Sequence, residues 1–242
     1  MPTSARYAVM IALLGGALCA AAATAIGRWQ AATLGWFGAT ALLTAVLYAG
    51  KALGRAPERV LWAAPPVHAL VFLPYSIFGL LVLALSRLLS REPVAQEIAP
   101  RVWLGGAPMP WNASALRASG VDAVLNLCLE FPDFGGFRRR GLPYRRVPIL
   151  DGAPPHPEQL REAVEWAAAQ HAQGRTVYIH CAQGHGRSAT AATALLVRLG
   201  IERDSDAARE RIRAIRPAIR VAPKQRAVVA AYCAGLTAPP EN

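Results

Sequence analysis

The chain has 242 residues and a formal net charge of +11, and only Lys51 and Lys224 are lysines, so arginine carries the surplus. Such a balance suits anionic partners; no nucleic-acid motif accompanies it, so nucleic acid is not an expected partner. The four cysteines, Cys19, Cys128, Cys181 and Cys233, have neither disulfide-framework nor zinc spacing, so no metal is expected.

Residues 8–26 are apolar apart from Thr24, with Arg6 before them. A signal peptide with Ala20-Ala21-Ala22 as its cleavage point is one reading. A second apolar run, residues 31–50, follows almost at once and argues against cleavage. A third, residues 67–85, contains Pro74 and Ser76 but no charge. Spanning a bilayer takes about 20 helical residues, so the pattern predicts about three transmembrane helices; the alternative is a two-helix hairpin followed by an interfacial helix. Gly27-Arg28-Trp29-Gln30 then forms a tight interfacial turn. The expected organisation is a membrane region over 1–90, a linker over 91–96, a catalytic domain over 97–235 and a flexible tail over 236–242.

Within the domain, Arg101 to Gly106 reads as a short strand and Asn112 to Ser119 as a short helix closed by Gly120. Ala123 to Cys128 and Tyr144 to Leu150 read as buried strands, and Pro157 to Gln173 as a helix. The run Val177-Tyr178-Ile179 is a further strand, and Ala189 to Val197 a buried helix. Helices at Ser205 to Ile215 and Pro223 to Cys233 complete the pattern. Strands alternating with helices predict an α/β fold with a mostly parallel sheet flanked by helices.

Between the strand at 177–179 and the helix at 189–197 lies His180-Cys181-Ala182-Gln183-Gly184-His185-Gly186-Arg187-Ser188. A strand, a glycine-bearing loop and a helix start make an anion site from backbone amides and helix dipole. Gly184 and Gly186 are expected where a Cβ would clash. Arg187 can grip two phosphate oxygens with its planar fork. Cys181 lies in that positive field, which favours its thiolate, a nucleophile aimed at phosphorus. A buried core cysteine before an ordinary helix is the bland alternative. It leaves Arg187 without a reason at the start of an apolar helix.

This stretch resembles the signature loop of the cysteine-based protein tyrosine phosphatase superfamily, and its Ala189-Thr190 continuation resembles the dual-specificity branch. Ile215-Arg216-Pro217, Pro223, Gln225 and Leu127-Cys128-Leu129-Glu130-Phe131 are similar to mitochondrial-type phosphatidylglycerophosphate phosphatases. The resemblance covers about residues 97–234; the apolar segments lie outside it. It implies a dual-specificity-phosphatase-like sheet and cofactor-free hydrolysis of phosphate monoesters through a cysteinyl-phosphate. It also implies that Ala182 to Arg187 bind phosphate, that Ser188 steadies the departing thiolate and that His180 orders the loop. Gln183 and His185 stand where phosphoinositide phosphatases carry more basic residues, which points away from polyphosphoinositides.

The leaving group needs an acid. Asp151 lies 30 residues before Cys181, at the end of the preceding strand and on the same sheet edge as the loop. The resemblance supports it, because dual-specificity phosphatases carry an Asp at about this separation; Asp133 is the second candidate. Arg138-Arg139-Arg140 and Arg145-Arg146 are either solvated charge or a rim facing lipid phosphates. The expected substrate is a phospholipid monoester or a phosphoprotein; an inactive phosphate-binding module is the alternative. Positive residues near the spans do not decide orientation. A reactive thiolate favours a reducing compartment, so the chain is expected as a multi-pass inner-membrane protein with its catalytic domain in the cytoplasm.

Overall fold

The computed structural model describes residues 3–55, 57, 70–90 and 92–237. The chain divides into two compact units, Met1–Ser90 and Arg91–Asn242.

The first unit holds α1 (Thr3–Thr24), α2 (Arg28–Ala52) and α3 (Leu73–Leu89). Small residues bring α1 and α2 together. A Cβ on Gly38 would lie 2.6 Å from Cys19 Sγ, and one on Gly15 would lie 2.9 Å from Leu42 Cγ. Tyr7 and Tyr48 meet edge to face at 5.5 Å. Two helices, Ser4–Thr24 and Arg28–Ala52, are long and apolar enough to cross a membrane. The expectation of three such helices needs correcting. The third apolar helix has 17 residues and begins at Leu73, with Pro74 in its first turn, where proline starts helices rather than continuing them. At 1.5 Å per residue it reaches about 26 Å, short of the hydrocarbon core of about 30 Å. Most of the expected start of that span, residues 67–69, lies outside the described residues.

In the second unit the strands are β1 (Ala95–Ala99), β2 (Val102–Gly106), β3 (Ala123–Cys128), β4 (Tyr144–Ile149) and β5 (Val177–Cys181). The helices are α4 (Asn112–Ala118), α5 (Pro157–Ala172), α6 (Arg187–Arg198), α7 (Ser205–Ile215) and α8 (Pro223–Thr237), with a 3₁₀ turn at Arg138–Arg140. The sheet runs β1-β2-β5-β3-β4, with β1 antiparallel to β2 and every other pair parallel. β1 occupies the end of the stretch expected to be linker. Its Gln96 and Glu97 hide it from an apolar reading, because an edge strand buries fewer of its side chains. Of the tail expected over 236–242, Leu236 and Thr237 are instead the last residues of α8, and the rest lies outside the described residues.

The central strands β3 and β5 are buried along their whole length, as a parallel sheet covered on both faces requires. Register aligns Trp103, Tyr178, Val124 and Tyr144 in one row across four strands. Ala113 and Leu116 of α4, with Phe137, close over that row. Helices α5 and α6 pack on β3, β4, β5 and β2. Ala189, Ala192, Ala194, Leu195 and Leu196 bury almost completely, which explains the small-residue run at the start of α6. The four parallel strands all end on one edge, so their C-terminal loops converge there.

Candidate active site

The loop from Cys181 to Arg187 joins β5 to α6 on that edge. Its seat is made by glycines on the neighbouring strand. The Ala107 N–H donates to Ala182 O at 2.8 Å, drawing the loop against β2. A Cβ on Gly106 would lie 2.9 Å from Ala182 O. Gly184 has φ +85°, and its Cβ would fall 2.5 Å from the carbonyl carbon of Gly105. Gly184 therefore meets the expectation for a position closed to side chains. Gly186 does not: its φ is −105°, and a Cβ there would meet Arg220 O at an ordinary 3.7 Å.

Cys181 is buried, and its sulfur lies inside the loop it begins. The Gly184 N–H donates to Sγ at 3.3 Å, and the Ser188 hydroxyl lies 3.2 Å from it. Helix α6 opens at Arg187 without a side-chain cap. Its first-turn amides are thus oriented toward the loop, as at anion-binding helix starts. His180 is buried and stacks on Tyr178 at 5.4 Å, and the Tyr178 hydroxyl donates to Gly106 O. The end of β5 is thereby tied to the end of β2.

Arg187 is 1% exposed, and Glu130, 5% exposed, holds it with both carboxylate oxygens at 2.6 and 2.8 Å. A third bond runs to Ile149 O at 2.9 Å. The Asp151 carboxylate lies 3.0 Å from the same guanidinium while remaining 68% exposed. Burial alone would pull the Arg187 guanidinium down, but Glu130 and Asp151 outweigh it and hold its pKa well above the ordinary value. The structure thus brings Cys181, Arg187, Ser188 and Asp151 to one place. Glu130 is the residue that reading for function missed. Its signal was a lone carboxylate in the apolar run Leu127 to Phe131, where an unpaired charge would be costly.

Other candidates lie elsewhere. The Asp133 carboxylate accepts from the Phe137 and Arg138 N–H groups at 3.0 and 2.8 Å, so it caps the 3₁₀ turn. The arginines expected at a rim are divided. Arg138, Arg139 and Arg140 are exposed, and Arg145 pairs with Glu162 at 2.6 Å. Arg146 turns inward and donates to Cys128 O at 3.1 Å and Leu129 O at 2.7 Å. It braces the strand end from which Glu130 projects. His185 pairs with Glu92, and Glu92 also lies 2.9 Å from the buried Arg216. The Gln225 amide donates to Ala153 O at 3.2 Å, two residues beyond Asp151.

Residues 105–201 match the family model described as "Polymorphic toxin system, DSP-PTPase phosphatase". Dual specificity protein phosphatase 12 of Rattus norvegicus is 34% identical over 111 residues, which is 43% of this chain and 31% of that protein. Phosphatidylglycerophosphate phosphatase PTPMT1 of Arabidopsis thaliana is 27% identical over 140 residues, 56% of this chain and 41% of that protein. The chain thus spans about a third of the length of the curated relatives it matches. Among solved structures, Tk-PTP in its active form superposes with TM-score 0.54 at 29% identity, over 59% of this chain and 97% of that one. PTPMT1 in complex with PI(5)P shares the fold, with TM-score 0.55 at 24% identity over 60% and 97% of the two chains.

Proposed function

We propose, on the premise that the second unit is a dual-specificity-phosphatase-like domain, that the chain is a membrane-anchored, cysteine-dependent phosphatase acting on phosphate monoesters. The observation that carries this reading is the setting of one sulfur. Cys181 Sγ has the Gly184 N–H and the Ser188 hydroxyl within 3.3 Å, beside an arginine fixed by Glu130.

The phosphate oxygens sit on the loop amides of Ala182 to Gly186 and on Arg187. The Cys181 thiolate attacks phosphorus, and the bond to the leaving oxygen breaks as Asp151 gives that oxygen its proton. Water then attacks the cysteinyl-phosphate. Asp151, now a carboxylate, takes the water's proton, and the Ser188 hydroxyl donates to the departing thiolate. Asp151 is 68% exposed at the mouth of the loop, where substrate and water can reach its carboxyl group. An inactive phosphate-binding module fits less well, since no reactive group of this set is missing.

A phospholipid monoester is favoured over a phosphoprotein. The two long apolar helices and the arginine surplus support it. In this reading the first unit anchors the chain in the inner membrane and the catalytic unit lies in the cytoplasm. The test is turnover of para-nitrophenyl phosphate by the purified full chain, with Cys181→Ser alongside. Wild-type turnover that falls below a few per cent in the variant supports the reading. An inert wild type, or an active variant, overturns it. A panel of phospholipid, lysophospholipid and phosphopeptide monoesters then ranks the substrate classes. For orientation, alkaline phosphatase activity fused after Asn242 would contradict the cytoplasmic placement.

A further inference from the structure

Four arginines line one cleft that the proposed chemistry does not use. Arg209 and Arg213 come from one face of α7, Arg220 from the turn after it and Arg226 from α8; the cleft has a volume of about 330 Å³. A second cleft of about 410 Å³ adjoins it and shares Arg209, Val221 and Arg226. One carboxylate answers them: Asp206 pairs with Arg209 at 2.8 Å. Among the described residues Arg213, Arg220 and Arg226 form no ion pair, and all three are exposed.

Like charges four residues apart on a helix face repel. Arg209 and Arg213 stand so on α7, with Arg220 and Arg226 added across the cleft, so the arrangement costs stability unless an anion offsets it. The planar forks suit phosphate oxygens in particular. The cleft also abuts the catalytic loop, because the Arg220 N–H donates to His185 O at 2.9 Å. Ile219 is buried beneath the turn and fixes it.

We infer that this cleft is a second phosphate-group site, distinct from the Cys181 loop, and that it takes the phosphodiester of an anionic phospholipid. The two apolar helices long enough to cross a membrane supply the reason for a lipid source, since they would keep the chain among such headgroups. The inference goes beyond the proposed hydrolysis and does not depend on it.

The probe is short-chain phosphatidylglycerol, which carries a phosphodiester but no monoester. It is titrated calorimetrically into the full chain in neutral detergent, with short-chain phosphatidylcholine as the comparison, whose phosphodiester is balanced by its own ammonium so that the headgroup has no net charge. Binding of phosphatidylglycerol at least about tenfold tighter than phosphatidylcholine is expected, with loss of about tenfold in Arg226→Glu and again in Arg213→Glu, one charge-assisted contact each. Arg117→Glu, an exposed arginine on α4, should change binding less than about twofold. Three results would overturn the inference: equal binding of the two lipids, an equal loss in Arg117→Glu, or cleft variants that bind like the parent. Inorganic phosphate is the last arm. If it binds in an Arg226-dependent way while phosphatidylglycerol does not, the site is one for free anions and the lipid assignment fails.

Discussion

Replacing Glu130 with Gln keeps the shape of the side chain and removes its charge. The buried Arg187 then exchanges two carboxylate contacts, at 2.6 and 2.8 Å, for at most one neutral amide oxygen, and keeps Ile149 O at 2.9 Å and Asp151 at 3.0 Å. Removing one partner of a buried pair costs about 3–5 kcal/mol where the other charge is left uncompensated, and the lower end applies here because the exposed Asp151 still faces Arg187. For a unit of about 150 residues each kcal/mol moves the thermal midpoint by about 2–4 °C, so the variant should melt roughly 10 °C below wild type. Activity should suffer too. Arg187 would lean toward Asp151, and a displacement of about 1 Å in a catalytic group can cost about 10²-fold in rate. The assays are thermal unfolding of the full chain in detergent and turnover of an aryl phosphate. A double variant, Glu130→Gln with Arg187→Met, sharpens the test. It should be more stable than Glu130→Gln alone, since it removes the stranded charge. A single variant that melts within about 2 °C of wild type and keeps full turnover would refute the argument.

Further expectations follow from the loop, the acid and the core. Gly184→Ala should abolish most turnover, because φ is +85° and the new Cβ would press on Gly105, whereas Gly186→Ala should keep much of it; equal effects would contradict this loop geometry. Asp151→Asn should slow alkyl phosphates by about 10²-fold or more and aryl phosphates with acidic phenols far less, and an equal loss on both would move the acid elsewhere. Burial pushes the Tyr144 phenol from 10.0 up to about 12. The unfolded chain then loses that proton first, so stability should fall as pH rises from 10 toward 12, and Tyr144→Phe should flatten this part of the profile. Denaturant unfolding at pH 9, 10 and 11 reads the slope; an unchanged slope in the variant would contradict the assignment.

What could be read from the residues was what is local. The strand, loop and helix around Cys181 are contiguous, so their order and chemistry are visible together. Asp151 was reachable because the C-terminal ends of parallel strands share one sheet edge, so the residue after one strand end lies near the residue that closes another. Glu130 was not, since its partner lies 57 residues away and no local rule names it. Gly184 and Gly186 look alike in the chain, yet only the first is pressed against a neighbouring strand, and that neighbour is set by the β2–β5 pairing. Arg146 read as solvated charge or as part of a rim, because arginine usually faces outward; the open carbonyls of Cys128 and Leu129 drew it inside. Strand β1 escaped because an edge strand needs backbone partners more than apolar side chains. The third apolar helix begins at Leu73 because Pro74 is a good first-turn residue and a poor interior one.

The central claim is covalent, and rapid acid quench during turnover of a ³²P-labelled aryl phosphate tests it most directly. Label on the peptide containing Cys181, lost in Cys181→Ser and accumulating to a higher level in Ser188→Ala as thiolate release slows, is the predicted result. Steady turnover with no labelled cysteine, or label on any other residue, would contradict the account.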